Sequence, residues 1–151
     1  MKYLVFGKIV MTFSESISTC FKKYVGFEGR ASRSEYWWFV LFGALVHILS
    51  RTLVSSVLNL LFFVTYDLYA PVGEILSWIV FLGMVLPGLA VTVRRLHDND
   101  RSGWWILLAL IPLIGIIVLV FWYCQRGTAG QNRFGADPLA GDVGGVSLEQ
   151  A

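Results

Sequence analysis

Charge is what this sequence lacks over most of its length. Lys, Arg, Asp and Glu make up 15% of its 151 residues against 56% hydrophobic ones, and the mean hydropathy is +0.67. A soluble fold of this size could not hide that much apolar surface. Cysteine and histidine are also scarce, with two of each. Cys20 and Cys124 offer no metal-ligand spacing and no disulfide framework, and with His47 and His97 so dispersed most zinc sites are excluded. Nucleophile-elbow, zinc-protease and phosphate-cradling motifs are missing. A phosphohydrolase reading of His97-Asp98 fails for want of further metal-binding histidines. No catalytic residue, metal or cofactor is therefore expected, nor a nucleic-acid partner. Lys8 interrupts the only apolar stretch near the N-terminus, so no secretory signal is read there, and Met11 is an alternative start.

What the chain has instead is long apolar runs. Residues 75–93 and 104–124 carry no charge, and each could cross about 30 Å of hydrocarbon at about 1.5 Å per residue. A third region, 36–66, is interrupted by Arg51. It reads as a span over about 35–57 followed by an apolar connection at the membrane surface; a hairpin turning near Arg51 would make four passes. The expected class is all-α, a polytopic membrane protein with about three transmembrane helices. Tyr36, Trp37, Trp38, Trp104, Trp105, Trp122 and Tyr123 sit at span ends, where amphipathic rings anchor at the headgroup level. Over 14–25, Ile17, Cys20, Phe21 and Tyr24 share one face beside Lys22 and Lys23, which predicts an N-terminal interfacial amphipathic helix. Residues 1–13 read as an extension, 14–138 as the membrane domain and 139–151 as a flexible Gly-rich tail.

Nine Lys and Arg lie before the first span or between the second and third, while 65–74 holds none. The positive-inside rule then puts the N-terminus and the 94–103 connection in the cytoplasm. With three passes the tail, carrying Arg126 and Arg133, is outside, with Cys20 and Cys124 on opposite faces; with four it returns inside.

Three polar clusters remain. In 26–35, Ser32 or Ser34 can cap the first span and Glu35 stands in its first turn. In 94–103, Arg94 and Asp98 are four apart and can pair, with His97 and Arg101 on a neighbouring face. The tail over 125–138 carries Asn132, Arg133, Phe134, Gly135 and Pro138. The first two clusters belong at one membrane depth, which predicts a shared polar cluster of Arg30, Arg33, Glu35, Arg94, Arg95, His97, Asp98 and Arg101 with an excess of positive charge.

The phrases YVGFEGRASRSEYWWF, LPGLAVTVRRLHDNDRSGWW and CQRGTAGQNRFGADP, in this order over about residues 20–138, closely resemble domain-of-unknown-function family 805 of small bacterial inner-membrane proteins. The resemblance implies a multi-pass protein of the bacterial cell inner membrane and implies no enzymatic activity. It highlights Gly29, Arg30, Arg33, Glu35, Tyr36 and Trp37, then Arg94 to Asp98 with Ser102, Gly103 and Trp104, then Asn132, Arg133, Phe134, Gly135 and Pro138. The functional expectation is a non-enzymatic protein whose cytoplasmic basic cluster binds an anionic lipid headgroup or a partner membrane protein, with homo-oligomers allowed. The alternative is a subunit of a small-molecule transporter or pore, suggested by His47, Arg51, Ser55 and Asn59 at four-residue spacing on the first span; snorkelling of Arg51 to the far surface weighs against it.

Overall fold

The structure, a computed structural model, describes residues 3–5, 8–62 and 66–140; most of the expected tail at 139–151 and parts of 1–13 lie outside the described residues. A short antiparallel hairpin comes first, β1 (Tyr3–Val5) and β2 (Lys8–Val10), with Tyr3 opposite Val10. The sequence reading did not anticipate it, although Tyr3, Val5, Ile9 and Val10 are strand-forming residue types. Helix α1 (Phe13–Lys22) follows, started by a capping box between Thr12 and Glu15. It buries Ser16 and Cys20, and Phe21 packs edge-on against Phe39 and Phe42.

Helix α2 (Arg33–Phe62) begins where the Ser32 hydroxyl accepts from the Glu35 amide at 3.2 Å. It runs 30 residues without a break, which corrects the alternative turn near Arg51, and the part of it apolar enough to span a membrane is Arg33–Val57. Two causes are local. Residues 44–62 contain no Gly or Pro to stop the helix, and Arg51 pairs with Glu74 of α3 (Tyr66–Asp98), so its charge is balanced without the chain turning. The helices α2 and α3 lie antiparallel, tied at one end by Glu35 and Arg94 and at the other by Arg51 and Glu74. These ties are about 24 Å apart along α2 and about 30 Å along α3, comparable with the thickness of the hydrocarbon core. Both helices are long and apolar enough to cross a membrane, and their aliphatic side chains, such as Leu45, Ile48, Ile79 and Leu82, are exposed along the flanks.

The third apolar run does not form one helix. It divides into a 3₁₀ segment (Gly103–Leu110) and helix α4 (Ile114–Cys124), which corrects the expected continuous span over 104–124. Pro112 has no amide to donate to a helix, and Leu113 takes φ +64°, so the chain reverses there. A β-carbon on Gly115 would lie 1.7 Å from the Leu108 carbonyl oxygen; only glycine lets the two legs meet. Each leg is about 16 Å long, half of what a crossing requires. Their ends stay together, with Trp105 edge-on to Trp122 at 5.5 Å and Asn99 donating to the Trp122 carbonyl at 2.9 Å. Cys124 therefore returns beside Arg33 and Trp37, at the end that holds Cys20. The expectation that the two cysteines fall on opposite faces is overturned, and with it the tail's placement opposite the basic cluster.

Candidate functional site

At this end of the molecule the small core of Cys20, Ala31, Tyr36, Phe39, Val91, Leu96, Leu119 and Tyr123 surrounds a knot of charge. Glu35, in the first turn of α2, accepts from Arg94 Nη1 at 2.5 Å. Arg94 is fully buried, with Nη2 4.0 Å from Cys20 Sγ. Burial first, and then the neighbouring Glu35 carboxylate, push the Cys20 thiol up to about 12. Asp98, the last residue of α3, accepts from Arg30 Nε at 3.0 Å on one oxygen and from Arg95 Nη1 on the other. The expected Arg94 to Asp98 pair is thus replaced. Arg94 turns to α2, and Asp98 takes the residue three back along α3 together with the loop arginine.

The tail completes the knot. Arg95 donates from Nε to the Tyr123 carbonyl at 3.1 Å and from Nη2 to that of Gln125, where the end of α4 presents unpaired carbonyls to a cation. Arg30 donates to the carbonyls of Gly130 at 2.6 Å and Thr128 at 2.5 Å. The Thr128 amide donates back to the Asp98 carbonyl at 2.8 Å. Gly127 lies against the Asp98 carboxylate so closely that a β-carbon there would be 2.0 Å from Oδ2. The His97 ring stacks on Phe134, centroids 3.9 Å apart and planes within 2°, and its Nδ1 lies 3.1 Å from the Gly29 carbonyl. Asn132 donates to the His97 carbonyl at 2.9 Å and closes a small turn with Gly135, which sits at φ +134°. Arg133 pairs with Asp100 at 3.1 Å and covers the Phe134 ring.

Of the residues expected together, Arg30, Glu35, Arg94, Arg95 and Asp98 meet in the buried ion-pair network. His97 borders it, and the tail motif packs on it except for Pro138, which is exposed. Arg101 lies over the Trp122 ring at 3.9 Å, outside the network. Arg33 is exposed and lines a shallow groove with Ser34, Trp37, Trp38, Leu41 and Cys124. Missed by the sequence reading were Cys20 and the carbonyls of Ala31, Gln125, Thr128 and Gly130. Carbonyl partners carry no side-chain signature; the glycines at 127 and 130 were the one hint. Three buried guanidiniums face two carboxylates here, and backbone carbonyls take up much of the remaining donor capacity. Chemically this is a clamp. Among the described residues, Lys22, Lys23, Arg33 and Arg126 are cations exposed outside this knot.

Comparison with known proteins gives a family and a membrane setting. The family profile described as a protein of unknown function, DUF805, matches residues 24–136. The inner membrane protein YhaI of Escherichia coli K12 is 44% identical over 120 residues, covering 80% of this chain and 92% of that protein. The inner membrane protein YhaH of the same strain is 48% identical over 117 residues, covering 78% and 90%. No solved structure matches the chain.

Proposed function

This chain belongs to the DUF805 family, and we propose that it is a non-enzymatic protein of the bacterial inner membrane whose basic end faces the cytoplasm and binds anionic phospholipid headgroups. In this reading α2 and α3 are the two passes, and the folded-back hairpin of 103–124 dips to mid-bilayer and returns. From Lys22 onward, every Lys and Arg except Arg51 is then on the cytoplasmic side, the distribution the positive-inside rule favours.

The observation that carries the reading is the groove at the start of α2. Arg33 and Ser34 stand at its top, Trp37 and Trp38 one turn below, and Leu41 and Cys124 line it as well. That vertical order, cation, interfacial aromatic and then aliphatic, matches phosphate, glycerol and acyl chain in a phospholipid. Lys22, Lys23 and Arg126 are exposed as well, and a cation near an anionic surface contributes roughly 1 kcal/mol. An acidic segment of a partner protein is the rival occupant of this rim. The transporter reading has less support, because Arg51 is committed to Glu74.

The test is lipid retention. The protein, purified from mixed phosphatidylglycerol and phosphatidylethanolamine, is released from detergent in a mass spectrometer and its bound lipids are counted. Phosphatidylglycerol is expected to be enriched, and Arg33→Gln is expected to weaken its retention about fivefold, the equivalent of roughly 1 kcal/mol. Equal retention of the two lipids, unchanged by Arg33→Gln, defeats the proposal.

A further inference from the structure

A cavity of about 410 Å³ lies between α2 and α3, lower in the molecule than the charged knot and within the size range of small-ligand pockets. Its lining is apolar except for Thr92 and His47; Gly43, Phe81, Met84 and Gly88 are among the other walls. Two glycines help keep it open. A β-carbon on Gly88 would meet nothing within 4 Å, and one on Gly43 only the tip of Met84 at 3.9 Å. The Thr92 hydroxyl is satisfied by the Gly88 carbonyl at 2.7 Å. His47 is not: its Nδ1 is buried and has no hydrogen-bond partner among the described residues. Leaving a buried polar atom unpaired costs about 1–3 kcal/mol, so such an atom calls for a ligand.

Depth restricts what that ligand is. His47 follows Glu35 by twelve residues, about 18 Å along the helix, beyond the middle of a hydrocarbon layer about 30 Å thick. A molecule reaching it arrives through the lipid. The Trp78 and Phe81 ring centroids stand 6.4 and 5.7 Å from that of the imidazole, so the His47 ring has aromatic neighbours. One hydrogen-bonding group among aromatic and aliphatic walls suits a flat, lipid-dissolved ring bearing oxygen. A plain acyl chain would fill the space and leave Nδ1 unpaired.

We propose that this cavity binds a lipid-soluble quinone, its ring oxygen hydrogen-bonded to His47 Nδ1 and its tail lying over Gly43 and Gly88. The quinone carbonyl accepts from a protonated Nδ1, and the quinol hydroxyl donates to a bare one, so either form is held and binding requires no electron transfer. The site is independent of the headgroup groove.

The test uses the full chain in lipid nanodiscs with a photoreactive azidoquinone, and decylubiquinone as competitor. Labelling is expected on the peptides carrying His47 and Phe81, competed in a saturable way. His47→Leu, an apolar change on a membrane helix, is expected to weaken competition about tenfold, the effect of one lost hydrogen bond to a buried group. His47→Gln, which has a donor and an acceptor of its own, is expected to stay within about threefold of the original. Gly88→Leu fills the cavity and is expected to abolish labelling, while Arg33→Gln leaves it unchanged. Labelling that is absent, not competed, or indifferent to both His47→Leu and Gly88→Leu overturns the proposal. So does a protein dimer that Gly88→Leu dissociates, since the cavity would then be a contact between copies.

Discussion

Asp98 holds two guanidiniums from different parts of the chain, Arg30 from the loop before α2 and Arg95 from its own helix. Its side chain is almost completely buried, so neither arginine can turn to water if the carboxylate is lost. Removing one partner of a buried ion pair costs about 3 to 5 kcal/mol. Asp98→Asn is therefore expected to lower the yield and the thermal midpoint of monodisperse protein in mild detergent, read by size-exclusion chromatography and a melting scan. A variant that melts like the original protein would mean that the carbonyls around Arg30 and Arg95 suffice. At this scale the sequence was partly legible. Opposite charges at a common depth announced that Arg30, Arg94, Arg95 and Asp98 would come together. It could not announce which acid took which base, because Arg94 chose between Asp98 four residues on and Glu35 on another helix, and only packing around Cys20 and Ala31 decides that.

Among the elements, the two long helices could be read from their freedom from charge, but the hairpin could not. Residues 104–124 have the composition of a span, and Pro112 alone does not force a reversal, since α3 continues through Pro71 and Pro87. The difference is the contact that rewards folding back, where Gly115 meets the Leu108 carbonyl. In an unconstrained helix Gly→Ala is worth about 0.5–1 kcal/mol in favour of alanine. Gly83→Ala, where a β-carbon meets nothing within 4 Å, is expected to be neutral or stabilising by that amount. Gly115→Ala is expected to destabilise instead, because a backbone oxygen must move. Thermal unfolding of both variants side by side checks the opposite signs; a stabilising Gly115→Ala would argue for a straight helix.

For the whole molecule, the fold-back changes the balance of the two ends. Charged loops, both short apolar legs and the tail motif gather at one end, and the other is made by α2 and α3. Cysteines introduced at Lys23 and Gln131 are accordingly expected to be labelled from the same side of the membrane, and one at Tyr69 from the opposite side. In sealed cells a membrane-impermeant maleimide should reach only Tyr69 of the three; external labelling at Gln131 would restore a third full crossing. Passes were countable from hydropathy only as far as each apolar run was a single helix. The arrangement also bears on how the chain is made. Arg30 is bound to the carbonyl of Gly130, one hundred residues later, and Arg95 to those at the end of α4. Asp98 supplies both arginines with a counter-charge early, but the carbonyls that complete their hydrogen bonds are made last. Until residue 130 is made, the base of the helix pair has its ion pairs but unfilled donors on Arg30. A chain cut short before Thr128 therefore keeps Arg30 paired with Asp98 but lacks the two carbonyls that fasten that arginine to the tail.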